Sequence, residues 1–503
     1  MTNFYSVLYK RSKKIAGVLA IVFLNIFCLM NVHASTGTDN ATNTELITKV
    51  SKEQAEPLML SLAFEGAKGF GRYSQGGKNG KLYIVTSLLD QPDNPLSGTL
   101  RHAIKQKHAR TVVFAVSGVI KLQAPLKISH GYITIAGQSS PGGITLAGAP
   151  VTVSKSEQVI LRYLRFRLGT FGYAEDALTV RNSENVIIDH CSMSWSVDET
   201  ASLYNNRNFT LQNSIISHSL NNSIHPKGKH GYGGIWGGAN ASFINNIIAN
   251  HASRTPRING HRLKAPYPQA DEFIELINNT VFNWQHNNVY GSENGRFDLR
   301  NNYYKAGAAS KIMQFADIWY SPYIKENQAY IAGNVMAGEN PIAQQLSKQN
   351  WLGINYRNAV KSKRIKSTKD SAWLTEQLLN TSANEDYPSA KSNFTQLIQK
   401  QTAGANRNAN GVFIDNVDLL VYQQLRDEVK IVKQGLIDHE FELINSWENY
   451  EQQFRGFNAI IDQNHDGIDD NWLKNWQKSA QGQQQKNIKP QDLLNIYLAQ
   501  LAQ

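Results

Sequence analysis

Cysteine is nearly absent from this chain of 503 residues, which has two, Cys28 and Cys191. No disulfide framework is available to one mature chain, because Cys28 falls in an N-terminal segment expected to be removed. No small-residue triplet precedes Cys28, which argues against a lipid-bearing cysteine. Cys191 sits in a strand-like context that suits a core thiol better than a nucleophile. Long apolar runs are as scarce. One covers 18 residues, Ile15 to Val32, the lower limit for spanning a bilayer, and none of that length follows it. Lys10, Arg11, Lys13 and Lys14 precede this run and small Ala34 follows it, so residues 1–34 read as a secretory signal, with an uncleaved anchor as the rival reading. A nucleotide fingerprint is missing too. AFEGAKGFGRYSQGG, from Ala63, is rich in glycine, but no strand leads into it and no helix leaves it, so it reads as loops.

What is present is a large apolar fraction, 41%, enough for a sizeable core. The formal net charge is +11, falling to about +7 once the four basic residues of the signal are gone. A positive exported protein suits an acidic partner; by charge alone nucleic acid, anionic lipid and acidic polysaccharide all fit, as does plain solubility.

The middle of the chain repeats. YITIAG at 132, VILRYLRF at 159, NVIIDHCSM at 185, NFTLQNSII at 208, SFINNIIAN at 242, ELINNTVFN at 275, FDLRNNYYK at 297 and YIAGNVMAG at 330 are short apolar strands that end in a small or polar residue. Taking His190, Asn213, Asn246, Asn279, Asn301 and Gly333 as the repeated corner gives a period in the twenties with insertions of about ten residues, the length of one coil of a parallel β-helix. A β-sandwich would explain the strands but not the recurring INN corners. The flanks differ. Residues 35–62 read as a disordered lead-in, the repeat runs from about 132 to 336 within a β-helix domain taken as 63–340, a covering segment with helices such as AWLTEQLLN at 372 and DLLVYQQLRDEV at 418 follows over 341–450, and 451–503 ends in an amphipathic helix.

Asp189, Asp198 and Glu199 lie at the end of one strand and in the loop before the next. If Asn208 begins the next coil, they can converge on one outer face, where oxygen ligands suit calcium; exposed acids are more often simply solvated. Arg254 and Arg257 flank Pro256 in R-T-P-R, and Lys227 and Lys229 lie in the glycine-rich HPKGKHGYGGIWGG. Acids, a metal and fixed cations on one face would make a cleft for a carboxylate-bearing sugar chain, although each basic residue taken singly is more commonly a surface charge. A second acidic run, DQNHDGIDD from Asp462 to Asp470, places Asp462, Asn464, Asp466 and Asp470 at positions 1, 3, 5 and 9 of a calcium-loop pattern with Gly467 at the sharp turn. Its position 12 is Leu473 rather than Glu, and a solvated turn is the alternative.

NVIIDHCSMSW from Asn185, with DALTVRNSEN upstream from Asp176 and R-T-P-R downstream, resembles the motifs of family 1 polysaccharide lyases, the pectate lyases, over roughly residues 63–340 and more loosely through GVFIDNVD near 411. The resemblance implies an all-β, right-handed parallel β-helix with a helical C-terminal extension, bound Ca2+, and β-elimination on polygalacturonate. It implies that Asp189 and Asp198 ligate calcium, that Arg254 abstracts the proton, and that Lys227, with Lys229 as runner-up, binds substrate. Two positions depart from the pattern. Ser202 stands where a further calcium-binding Asp is common, and Asn259 stands where a further arginine is common; Glu199 could replace the first, and Arg257 or Arg262 the second. A secreted monomer acting on pectin follows, with no nucleic-acid partner and no stable membrane association once the signal is cleaved. A lyase on methylated pectin or another uronate polymer, and a noncatalytic β-helix binding acidic glycans, are the alternatives.

Overall fold

A computed structural model describes residues 61–320, 328–358, 386–485 and 487–503. The signal at 1–34, the lead-in as far as residue 60 and the helix expected at 372–380 lie outside the described residues.

Short parallel strands follow one another in threes, and each pairs with its counterpart in the next three. One stack includes Ile133–Ala136, Glu157–Arg162, Glu184–Asp189, the second half of Ala201–Gln212 and Phe273–Ile277. The second includes Leu164–Arg167, Ser192–Ser194, Ile215–Ser217, Ile247–His251 and Thr280–Trp284. The third includes Val151–Ser154, Leu178–Arg181, the first half of Ala201–Gln212, Arg257–Ile258 and Val289–Gly291. The chain is therefore a parallel β-helix, and its strands run on past residue 340 to Ile354–Asn358, which pairs with Ala316–Tyr320. The coil after Asp189 also starts its third-stack strand earlier than Asn208, at Ala201.

Two positions per coil make the corner between the first and second stacks. Tyr163, His190, Asn213, Asn245, Asn278, Asn301 and Gly333 each take a left-handed backbone, with φ between 51° and 69°, a conformation that asparagine and glycine tolerate best. The next residue builds a ladder. The amide and side-chain nitrogens of Asn279 both donate to Asn302 Oδ1 at 2.9 and 3.0 Å, and Asn302 repeats this onto Asn334 at 3.0 and 2.9 Å. Asn246 does the same onto Asn279. Each side chain donates as well to a strand carbonyl of the preceding coil, as Asn279 does to Phe243. Asn246 and Asn279, assigned to the corner from their spacing, are in fact ladder residues; the corner itself is Asn245 and Asn278.

Alternation sets the core. Val186 and Ile188, Phe209 and Leu211, and Phe243 point inward and are fully buried. Each such side chain contributes about 2 kcal/mol, so stacking apolar rows is the main source of stability. Ile160 and Ile187 point outward and are covered by Ala63, Phe64 and Ala67. On the second stack, Ile215, Ile247 and Phe282 are covered by Leu397, Val421 and Leu425 from the helices Ala390–Lys400 and Asn416–Leu425. The covering segment is also held by charge. Arg167 meets Asp415 and Asp418 at 2.9 and 2.8 Å with all three side chains buried, and Tyr450 donates to Asp415 at 2.7 Å. The third stack is different, because the row Lys127, Thr152, Thr179 and Ser202 crosses successive coils in register on its outer side. No helix of the described residues is long and apolar enough to cross a membrane.

Candidate metal centre and active site

The loops that enter the third stack carry acids expected in the site, and Arg254 beside them. Asp176 lies two residues before Leu178, and Glu199 two before Ala201, and those two strand residues are partners. The next coils continue the line, with parallel bridges from Glu199 to Tyr232 and from Tyr232 to Ser253. Ser253 is followed by Arg254. Side chains scattered over nearly eighty residues are thus brought together at one corner by strand register.

Carboxylate oxygens of Asp176, Asp198 and Glu199 lie within 4.8 Å of one another. The Glu199 amide donates to Asp176 Oδ1 at 3.1 Å, and Thr179 donates to Asp176 Oδ2 at 2.7 Å. Burial, helped by the neighbouring charge of Asp198, pushes the Asp176 carboxyl up to about 7 despite the hydrogen bonds of Thr179 and Ser202. Burial and the charges of Asp176 and Asp198 also raise Glu175. Three acids crowded so that one resists ionisation form a donor set suited to a hard divalent cation, which would relieve the repulsion. Ser202, standing where the motif comparison expects a third aspartate, supports Asp176 instead.

Arg254 adjoins this cluster. Its guanidinium pairs with Glu199 and lies over the Tyr232 ring, 4.1 Å from its centre. Its backbone is left-handed, φ 60°, a conformation costly for arginine and maintained by its surroundings. Gly233 and Gly234 make room: a Cβ at the first would lie 2.4 Å from the Arg254 carbonyl, and at the second 2.0 Å from that of Ala201.

The preceding loop, Asn221 to Gly231, brings His225 and His230 to Asp198, with Nε2 atoms 3.9 and 3.7 Å from its carboxylate. Lys227 and Lys229 lie between these histidines in the chain and are exposed. The covering segment holds the loops at this corner. The amides of Asn221 and Asn222 donate to the Ile437 carbonyl and to Asp438 at 2.7 and 2.8 Å, while Thr170 meets His439 at 2.9 Å and donates to Glu440 at 3.1 Å.

Two expected site residues lie elsewhere. Asp189 is not beside Asp198. It ends a first-stack strand at the opposite end of Ser192–Ser194, where it is fully buried and accepts from Arg162 at 2.8 Å, Gln212 at 2.8 Å and Asn213 at 3.1 Å. Burial alone would raise its carboxyl, but His190 and Arg162 hold it well below the ordinary range. Its oxygens are taken, and Asp176 occupies the place given to it. Arg257 alternates with the core residue Ile258 and so lies on the outer side of its strand, but it is nearly buried there, paired with Glu293 at 2.5 Å and set between Tyr290 and Trp319, 5.0 and 4.9 Å from their ring centres. Asn259 is buried and donates to Asn205 at 3.2 Å. Arg262 is the half-buried cation left near this corner, its guanidinium shifted down by burial and by Arg257.

In the C-terminal acidic loop the carboxylates are engaged by the loop's own backbone. The Asp466 and Gly467 amides donate to Asp462 at 3.0 and 2.9 Å, that of Ile468 to Asp466 at 3.0 Å, and that of Gln463 to Asp470 at 3.2 Å. Asn464 donates to Asp466 at 2.9 Å. Among the described residues, this loop is not one of the places where three acidic or histidine donors converge.

No family model matches the chain. Over 282 residues it is 35% identical to a protein named Probable pectate lyase C from Aspergillus fumigatus, a match covering 52% of this chain and 61% of that one. Its counterpart in Aspergillus terreus is 33% identical over 276 residues, covering 53% and 60%. The chain thus spans about three fifths of the length of these curated relatives. Among solved structures, a pectate lyase from Bacillus sp. N165 in complex with trigalacturonate aligns with a TM-score of 0.44 and 14% identity, covering 67% of this chain and 98% of that one.

Proposed function

We propose that the chain is an exported, calcium-dependent lyase that cleaves polygalacturonate by β-elimination. The observation that carries this reading is Arg254, a fixed cation set directly against three converging carboxylates; the names of the curated relatives support the same activity. Asp176, Asp198 and Glu199 would hold calcium, which when bound supplies positive charge to the uronate carboxylate and so acidifies the C5 hydrogen. Thr152, half-buried one coil before Thr179 in the same outward row, offers a hydroxyl to sugar beside the cluster. Lys227 and Lys229, exposed on their loop, meet further uronate groups.

Arg254 takes the C5 proton, the bond to the C4 oxygen breaks, and the product carries a 4,5-unsaturated end. An arginine acts as a base only in a crowded, desolvated cationic site that favours its neutral form. Arg254 is held by Glu199, so the reaction requires that pair to open when the carboxylate turns to a cation. Retained acids speak for free uronate rather than methyl ester, which offers no negative charge to share.

Incubation of the mature protein with polygalacturonate, followed by ultraviolet absorbance of the unsaturated product, tests this reading. Absorbance should rise with calcium, stop with chelator, and fall at least a hundredfold in Arg254→Ala with the fold retained. Binding of polygalacturonate without any absorbance rise would sink the enzymatic reading, and an active Arg254→Ala would move the base elsewhere.

A further inference from the structure

We infer that Asp198, His225 and His230 form a second metal site, one that takes a borderline divalent ion of the zinc class and shares Asp198 with the three-carboxylate cluster. The three residues offer donor atoms within 4.8 Å of one another. The two imidazoles are stacked, 3.5 Å between ring centres, and their side chains are only 5% and 11% exposed. They converge on the two oxygens of one carboxylate from a loop anchored at both ends, by the Asn221 amide on Ile437 and by the His230 amide on Asn221.

The hydrogen bonding of His230 points to a cation. Its Nδ1 lies 2.9 Å from the Gly228 carbonyl, which can only accept, so Nδ1 holds the proton and in the neutral ring Nε2 presents a lone pair. That lone pair faces Asp198 Oδ1 at 3.7 Å. Two acceptors aimed at each other, too far apart for a hydrogen bond, are what a bound cation reconciles. A ring nitrogen that donates to a backbone carbonyl while the other nitrogen ligates is the usual support of a metal-bound histidine. His225 needs one adjustment. The Lys227 amide donates to its Nδ1 at 3.1 Å; ligation through Nε2 moves the ring proton to Nδ1, and the exposed Lys227 amide turns to water.

Donor type separates this site from its neighbour. Asp176 and Glu199 add only oxygen, which suits calcium, whereas two imidazoles and one carboxylate suit zinc, cobalt or nickel. Tetrahedral zinc holds its donors about 3.4 Å apart, so the gaps of 3.7 and 3.9 Å are a few tenths of an ångström too long, and ligation also requires the stacked rings to swing apart so that both Nε2 lone pairs meet the ion. Three protein ligands leave a fourth position for water or an anionic ligand.

Co2+ is the probe, titrated into the purified full chain without a histidine tag and in saturating Ca2+. One equivalent should bind, with the visible absorption of a low-coordinate cobalt centre, and Zn2+ should displace it. Affinity should fall at least tenfold in His230→Ala and in His225→Ala and be unchanged in Asp176→Asn. Gln replaces Ala wherever the circular dichroism of the Ala variant departs from native. No Co2+ uptake, uptake that survives both histidine substitutions, or uptake abolished by saturating Ca2+ would each overturn the assignment. The readout is metal binding, so it stands or falls independently of lyase activity.

Discussion

Asp189 and Asp198 are nine residues apart, and they have opposite fates. Asp189 is at a corner that the coil turns in a single left-handed residue, His190. Packing there is tight, every oxygen is used, and neighbouring charge stabilises the ionised form. Asp198 is at a corner where the chain wanders through loops, and its side chain remains 30% exposed among acids and histidines that leave it unsaturated. A short corner uses a carboxylate to hold coils together; a long corner leaves one available for a ligand.

Substitution at the two positions should separate these roles. Asp189→Asn removes the charge that Arg162 faces and should cost about 3–5 kcal/mol, the usual penalty for a broken buried pair, read as a lower denaturant midpoint. Asp198→Asn should shift stability by no more than about 0.5 kcal/mol while weakening calcium binding at least tenfold in calorimetry. Equal stability losses at both sites would erase the distinction.

The asparagine ladder belongs to the short corner and gives the next largest effect. Asn279→Ala leaves the buried backbone amide of Asn246 without its acceptor and takes one hydrogen bond from the carbonyl of Phe243, at about 1–3 kcal/mol for a buried group left unpaired. Chemical denaturation should show this loss with calcium affinity unchanged. The long corner depends instead on its covering segment. Glu440→Ala removes the acceptor of the Thr170 amide and hydroxyl and loosens the loop that leads to Asp176, so calcium half-saturation of turnover should rise several-fold, with a stability loss of about 1 kcal/mol.

Acid should distinguish the corners as well. Asp189 has a folded-state value below its ordinary 3.8, so its contribution is complete above that pH and is lost as pH falls further. Asp176, raised to about 7, has the reverse sign: in metal-free protein its ionisation opposes folding as pH climbs from about 4 to 7. Comparing the pH–stability curves of wild type and Asp176→Asn without metal checks this, and a constant difference across that range would contradict it.

The amino-acid pattern made the coil visible because strands of the β-helix are short, apolar and closed by asparagine. It blurred the corner by one residue, since in INN both asparagines repeat and only their backbone torsion and side-chain partners tell them apart. The candidate site was legible in part. Asp198, Glu199 and Arg254 stand at one corner, and Lys227 is on a loop reaching it. Asp189 was misplaced because chain proximity hides the second-stack strand Ser192–Ser194 between it and Asp198. Asp176 stood in the quoted DALTVRNSEN; its signal is the 23-residue offset to Glu199, one coil, which acquires meaning only when Leu178 is known to pair with Ala201. His225 and His230 bracket Lys227 in HPKGKH, a spacing that carries no metal pattern until the loop folds back on Asp198.

Calcium-dependent cleavage of polygalacturonate by Asp176→Asn, set beside Asp189→Asn at a temperature where both are folded, tests the location of the active corner most directly. Asp176→Asn should need at least tenfold more calcium for half-maximal absorbance rise, while Asp189→Asn keeps the wild-type requirement. Wild-type calcium dependence in Asp176→Asn together with its loss in folded Asp189→Asn would place the centre at the other corner.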